Sequence, residues 1–167
     1  MSKAVMLSIR PKWCEKICRG EKTVEVRKTR PKLETPFKCY IYRTKGTVPH
    51  IINDKWVQME VGGTVIGEFT CDRIYELAPL NHAPDDVEQQ ACMTREEIVR
   101  YLKGVGYGWH ISDLKIYDPL KKLSEFKGLC KVDSDCCACP YYNYSKMDCE
   151  GRTIKRPPQS WCYVEEM

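Results

Sequence analysis

Residues 20–29 read GEKTVEVRKT, and the alternation of side chains over residues 22–29 indicates a β-strand that carries charge on one face. Two valines alternate there with Glu25 and Arg27, which is typical of a strand with one buried face. Because side chains two positions apart on a strand point the same way, we expect Glu25 and Arg27 to share a site with Lys22 at the strand entrance. A surface cluster of ion pairs with no ligand is the alternative interpretation.

The residues before this strand predict a buried strand and a short helix. Residues 4–10 form an apolar run, and Pro11 stands where a helix favours proline, at its first position. An apolar stripe predicts a helix over residues 11–19, and Gly20 is expected to end it in the left-handed conformation. Lys22 would then lie near the C-terminal end of that helix, where a cation is favoured.

The residues that follow predict a chain in which strands outnumber helices. Residues 46–63 look like a connection, residues 78–92 look irregular, and Gly67 indicates a bulge or a close backbone approach. Thr94 and Glu97 form a capping box that starts a second helix, whose buried stripe would be Ile98, Tyr101 and Leu102. Further strands are expected at residues 37–44, 64–77, 109–117 and 160–165.

The spacing of these elements predicts a mainly β fold of the α+β class. The strands follow one another too closely for regular βαβ winding. A small barrel of about six strands with two short flanking helices fits best. We expect one domain over residues 1–167, with a Cys-rich insertion at residues 128–156 before the last strand.

Composition excludes several classes of protein. Of the 167 residues, 43% are hydrophobic and 30% charged, which is globular and rules out a disordered or collagenous chain. No apolar run approaches the roughly 18 residues that a membrane span needs, and the N-terminus lacks the pattern of a signal peptide. The expectation is a cytoplasmic protein without a membrane partner.

Charge is distributed unevenly along the chain. Residues 1–45 hold thirteen Lys or Arg against four Glu, whereas residues 46–125 hold eight against thirteen acidic residues. The net charge of +4 therefore conceals a strongly basic first third. Such a segment indicates an anionic partner, with nucleic acid first, or else a solvated basic face.

Ten of the eleven cysteines fall into two groups of five, one scattered and one crowded, and Cys162 stands alone in the last expected strand. Eleven is an odd number, which argues against a disulfide framework. Four of the cysteines crowded into residues 130–149 are candidates for a structural zinc site with four thiolate ligands, since two of them have the Cys-x2-Cys spacing. The alternatives are a loop of reduced thiols and a disulfide that forms only on oxidation. The candidates are Cys130, Cys136, Cys139 and Cys149, while the expected small buried hydrophobes are Cys14, Cys18, Cys39, Cys71 and Cys92.

The segment at residues 20–27 resembles the G-x-K-x-x-E-x-R signature of the ASCH domain, a member of the PUA-like β-barrel superfamily. Blocks at residues 8–13, 65–69, 109–114 and 158–165 occur in the expected order around it. The chain looks like a larger bacterial or phage-type member of that family. The resemblance implies a PUA-like barrel of five or six strands, with a cleft beside the signature strand.

The resemblance implies two functions. The first is binding of RNA or of a modified nucleoside, with no cofactor required at the barrel site; the expected ligand-binding residues are Arg10, Lys12, Arg27, Lys28, Trp109 and His110. We expect Trp109 and His110 to be exposed for base stacking. The second is the deacylation of an acylated nucleoside such as acetylcytidine, for which the candidate catalytic residues are Lys22, Glu25 and Glu88. A scaffold that binds proteins is a third interpretation.

Overall fold

The computed structural model describes residues 2–77, 83–130, 139 and 141–167. Their main feature is a six-stranded sheet in the order β10-β1-β3-β6-β7-β2, which curls into a half-barrel and confirms the predicted mainly β fold. Only the pairing of β1 with β3 is parallel within this sheet. The strands are β1 (Lys3–Ile9), β2 (Val24–Arg27), β3 (Phe37–Arg43), β4 (Gly46–Ile52), β5 (Lys55–Val61), β6 (Thr64–Glu76), β7 (Tyr107–Lys122), β8 (Tyr142–Asn143), β9 (Asp148–Cys149) and β10 (Trp161–Glu165).

Three α-helices accompany the strands in the described part of the chain: α1 (Pro11–Cys18), α2 (Val87–Ala91) and α3 (Arg95–Leu102). Pro11 takes the first position of α1, as predicted, and Gly20 follows that helix with φ +74°. The capping box of α3 is confirmed, because Glu97 N–H donates to Thr94 Oγ1 at 3.2 Å and Thr94 N–H donates to Glu97 Oε2 at 2.8 Å.

Regular elements occur within two segments for which the sequence predicted a connection or an irregular chain. Residues 46–63 contain the antiparallel hairpin of β4 and β5, and residues 78–92 contain α2. The hairpin exposes apolar side chains on a two-stranded ribbon, so no clear alternation of buried and polar residues marks it. Helix α2 has only five residues, too few for a helical period to show in the sequence.

The half-barrel buries side chains on both faces of its central strands. Along β1, Val5, Leu7 and Ile9 enter the interior cluster, whereas Ala4 and Met6 join a second cluster on the outer face. This explains why β1 reads as a continuous apolar run. A third cluster packs α2 and α3 against the outer face of β2; its buried members are Val26, Leu77, Val87, Ala91, Ile98 and Leu102.

The scattered cysteines divide between buried and exposed positions. Cys14, Cys39 and Cys71 are buried as predicted, and burial raises the pKa of the Cys14 thiol to about 12 and that of Cys71 to about 12. These thiols stay protonated and behave as small apolar groups. The prediction is wrong for Cys18, which is exposed at the end of α1, while Cys92 is half-buried.

Two edge strands of the sheet approach each other without sharing a backbone ladder. Strands β2 and β10 are the ends of the strand order, yet side chains connect the segments around them. Trp161 Nε1 donates to Thr29 Oγ1 at 2.9 Å, and the backbone N–H of Lys32 donates to the Tyr163 hydroxyl at 2.7 Å. We call this junction the seam.

Candidate functional site

Lys22, Glu25 and Arg27 converge at the seam as one ion-pair cluster. The Glu25 carboxylate lies between the two cations, with Oε1 2.9 Å from Arg27 Nη2 and Oε2 3.4 Å from Lys22 Nζ. All three side chains are at least nine-tenths buried, so their charges must be compensated by one another and by hydrogen bonds. The alternation expected for residues 20–29 thus brings the three groups together.

Arg27 joins the two edges of the half-barrel. Its Nη2 donates to the Ser8 carbonyl at 2.8 Å, and its Nη1 contacts the Ser160 carbonyl at 3.3 Å and the Ser160 hydroxyl at 3.2 Å. Ser8 belongs to β1 and Ser160 directly precedes β10, so one guanidinium connects β2 to the opposite side of the seam. The guanidinium can reach acceptors on two segments at once because its five N–H donors are spread over a plane. The compact ammonium of lysine could not replace it.

The ammonium of Lys22 lies at the C-terminal end of α2. Its Nζ donates to the carbonyl of Ala91, the last residue of that helix, at 2.8 Å and lies 4.9 Å from the centre of the Trp13 ring. The sequence predicted Lys22 near the C-terminal end of α1, and its backbone N–H does donate to the Lys16 carbonyl there at 3.1 Å. The contact of its ammonium with α2 was not expected, because α2 was not predicted. A cation at the C-terminal end of a helix meets carbonyl oxygens that have no partner within the helix.

This cluster lines a cavity of about 850 Å³, which we call the seam cavity. Three exposed cations, Arg10, Lys12 and Lys45, also line it, and Glu25 is the one acidic residue among its described lining residues. Half-buried Trp13 and exposed Tyr101 contribute aromatic surface. A volume of this size is in the range of small-ligand sites.

Lys45 and Tyr101 are lining residues that sequence reasoning missed. Tyr101 is 41% exposed, so its assignment to the buried stripe of α3 is wrong. Ile98 and Leu102 alone are buried, and a residue three positions after Ile98 lies close enough to that stripe to be mistaken for part of it. Lys45 stands between β3 and β4 with no motif around it, and only the basic character of residues 1–45 pointed to it.

A family model describes this chain. The model of the ASCH domain matches residues 7–146, which is most of the sequence. The chain belongs to the ASCH domain family. This family is PUA-like and related to RNA-binding proteins, and the seam cavity lies beside the ASCH signature strand β2.

Solved structures support the fold of this ASCH protein. The crystal structure of ASCH from Zymomonas mobilis has a TM-score of 0.60 and 18% identity, covering 98% of this chain and 88% of that chain. A point mutant of the same bacterial protein gives a TM-score of 0.60 at 16% identity, covering 98% of this chain and 89% of its own. Among curated proteins, none matches significantly.

Of the predicted ligand-binding residues, Trp109 and His110 lie away from the lining of the seam cavity. Trp109 is 0% exposed, so the expectation of an exposed stacking surface is wrong for it. It pairs with Glu25 across β2 and β7 and therefore points into the packed interior, against Phe37. His110 points to the other face, where its Nδ1 lies 2.6 Å from Asp72 Oδ1.

The expected roles of Arg27, Lys28 and Glu88 also change. Arg27 is buried and its terminal nitrogens contact the protein, so it is unsuited to a surface phosphate. Lys28 is exposed outside the described lining, with Nζ 5.4 Å from the centre of the Tyr101 ring. Glu88 accepts from the Arg95 backbone N–H at 2.6 Å outside that lining, so its placement as a partner of Lys22 is wrong.

The predicted zinc ligands are only partly described. Cys130 is exposed, Cys139 is half-buried and Cys149 is buried on β9, while Cys136 lies outside the described residues. Within residues 2–77, 83–130, 139 and 141–167, no three side chains of His, Cys, Asp or Glu form a metal-binding group. Zinc binding stays a prediction, and metal analysis of protein purified under reducing conditions tests it.

No helix in the described part of the chain combines the length and apolar character needed to cross a membrane.

Proposed function

We propose that this ASCH protein binds RNA or a nucleoside-containing ligand in the seam cavity. The observation that carries the proposal is the composition of the described part of the cavity wall. Its exposed cations, which we call the rim, are Arg10, Lys12 and Lys45, and its buried charged floor is the cluster of Lys22, Glu25 and Arg27. Cations attract phosphates, and aromatic rings stack on unpaired bases. The family relationship to RNA-binding proteins supports the same function.

The position of each group supports a division of roles within the cavity. Arg10 and Lys12 stand at the start of α1, and Lys45 follows β3. These two segments are neighbours, because β3 pairs with β1 and the Thr44 N–H donates to the Ile9 carbonyl at 2.9 Å, so the phosphate-binding groups lie close together. Trp13 and Tyr101 offer the base a surface from α1 and α3. We assign phosphate contact to the exposed cations and base contact to the rings and the floor.

Binding of a labelled single-stranded RNA to the purified full chain tests this function by fluorescence anisotropy. Replacing both Lys12 and Lys45 by Ala is expected to weaken binding about tenfold or more at physiological salt, because phosphate contacts supply most non-specific affinity. The matched control replaces Lys55 and Lys115 by Ala, two exposed lysines outside the lining, and should leave the affinity within about twofold. If both double variants lose RNA affinity equally, Lys12 and Lys45 have no particular role in binding phosphate.

Deacylation of an acylated nucleoside, the alternative function, has less support. A lysine that acts as nucleophile or base must lose its proton, whereas Lys22 Nζ donates to a carbonyl and faces the Glu25 carboxylate. We therefore expect no acetate release from acetylcytidine. Release by the natural protein that disappears in Lys22→Ala, with the fold intact by circular dichroism, would make this protein a hydrolase.

A further inference from the structure

Most of the donors at the floor of the seam cavity are engaged within the protein. Lys22 Nζ is held by Ala91 and Glu25, and the terminal nitrogens of Arg27 are held by Ser8, Ser160 and Glu25. Arg27 Nε has no acceptor among the described residues, but it is sealed from solvent. The two cations therefore fix a carboxylate rather than offer their own hydrogen atoms to a ligand.

The carboxylate is the polar group of the floor that retains capacity for a ligand. A carboxylate has about four lone-pair positions, and each oxygen of Glu25 faces only one cation, at 2.9 Å and 3.4 Å. Held between Lys22 and Arg27, it presents two acceptor oxygens side by side. Its chemical complement is a ligand edge with two adjacent N–H donors.

Resting on the proposed function, we propose that the seam cavity selects guanine nucleotides through Glu25. Guanine carries N1–H and the N2 amino group next to each other on its pairing edge, and these can donate to both carboxylate oxygens. Adenine and neutral cytosine each place one amino group beside a ring nitrogen that accepts, which would oppose a carboxylate oxygen. Uracil flanks its single N–H with two carbonyl oxygens, which is worse still.

The charge of the cavity excludes other ligands with paired N–H donors. Guanidinium and amidinium groups also present two parallel donors, but they are cations. Among the described lining residues, five cationic side chains accompany one carboxylate, so a cationic ligand is repelled. A neutral base attached to a phosphate satisfies both the acidic floor and the basic rim.

Calorimetry with five nucleoside monophosphates on the natural full-length protein tests the proposal. GMP should bind tightest. IMP, which differs from GMP only by lacking the N2 amino group, should bind about tenfold or more weakly because it loses one charge-assisted hydrogen bond. AMP, CMP and UMP should bind at least as weakly as IMP. Equal affinity for all five would overturn guanine selection and leave nucleotide binding standing; binding of none would overturn both.

Two variants separate base selection from phosphate attraction. Glu25→Gln replaces one acceptor oxygen by an amide NH2 group, so the ratio of the affinities for GMP and IMP should fall towards one. The affinity for AMP should change little. Lys12→Ala should weaken all five nucleotides by a similar factor and keep that ratio. A preserved GMP preference in a folded Glu25→Gln protein would overturn the role of the carboxylate; if that variant fails to fold, the ligand series on the natural protein decides.

Discussion

Glu25 is the residue on which the charge balance of the site depends. It is the shared counter-ion of Lys22 and Arg27, all three being nearly inaccessible to solvent. A buried charge that loses its partner is costly, whereas an exposed ion pair contributes little. The stability of the fold and the chemistry of the cavity therefore depend on the same carboxylate.

Glu25→Ala is expected to lower the free energy of unfolding by about 3–5 kcal/mol, because two buried cations are left uncompensated. Urea unfolding followed by tryptophan fluorescence measures it. Glu21→Ala is the matched control, since Glu21 pairs with Lys16 at 3.4 Å on the surface and should cost about 1 kcal/mol or less. Similar losses in both variants would show that the cluster on β2 is no more coupled to folding than a surface pair.

Asp72 and His110 form a second pair, on the face of the sheet opposite to Glu25. Burial acts to raise the pKa of Asp72, but the hydrogen bond and charge of His110 outweigh it and hold that pKa below its usual range. The folded state thus binds the carboxyl proton less readily than the unfolded chain. The resulting stabilisation is present above the ordinary aspartate pKa, about 4, and is lost as pH falls through the lowered value.

An NMR titration of the Asp72 carboxyl carbon tests this pairing. In the natural protein the midpoint should lie below the ordinary aspartate value of about 4, and in His110→Ala it should rise towards that value. The loss of stability between neutral pH and pH 3 should be smaller in the variant, because the partner that depresses the pKa is absent. An unchanged Asp72 midpoint in His110→Ala would mean that the histidine does not cause the shift.

At the scale of elements, Gly67 shows how β6 and β7 approach each other. A Cβ atom at this position would lie 2.4 Å from the Lys115 carbonyl oxygen, and the pairing register shifts between Val65 and Gly67. The close approach predicted from a glycine within a strand is therefore confirmed. The longest strand pairing in the fold depends on a residue without a side chain at this position.

Gly67→Ala is expected to destabilise the fold by about 1–3 kcal/mol, since backbone atoms must move to admit the methyl group. Thermal unfolding measures the change. Gly128→Ala serves as control, because a Cβ atom there meets its nearest neighbour at 3.6 Å, an ordinary contact, and should cost under about 1 kcal/mol. Equal stability of the two variants would contradict the tight approach.

The elements of the fold also show which features the sequence could predict and which it could not. Strand alternation placed Glu25 and Arg27 together, and the capping box located α3, because both signals are local. Two contacts of the site are tertiary and have no local signal. Lys22 contacts Ala91, which lies 69 positions along the chain, and Arg27 contacts Ser160, which lies 133 positions along the chain. Trp109 was predicted to be exposed because Gly106 and Gly108, which precede it, are typical of a turn. The strand β7 has already begun at Tyr107, however, and Trp109 is buried in it.

At the scale of the whole molecule, the distribution of charge matters more than its sum. Residues 1–45 carry thirteen basic side chains, but two of these, Lys22 and Arg27, are buried in internal ion pairs. Of the exposed cations in this segment, Arg10, Lys12 and Lys45 line the seam cavity, whereas others such as Lys28 lie outside its described lining. Total net charge therefore overstates attraction in some regions and hides it in others.

Salt dependence separates local from overall charge. For single-stranded RNA, the logarithm of affinity falls with the logarithm of salt concentration by about 0.7 per phosphate neutralised. Replacing Lys12 and Lys45 by Ala should flatten this slope by about 1.4, because two phosphate contacts disappear. The variant with Lys55 and Lys115 replaced by Ala has the same net charge and should keep the natural slope. If both variants flatten the slope equally, RNA is attracted by the molecule as a whole, and the rim of the seam cavity holds no particular phosphate.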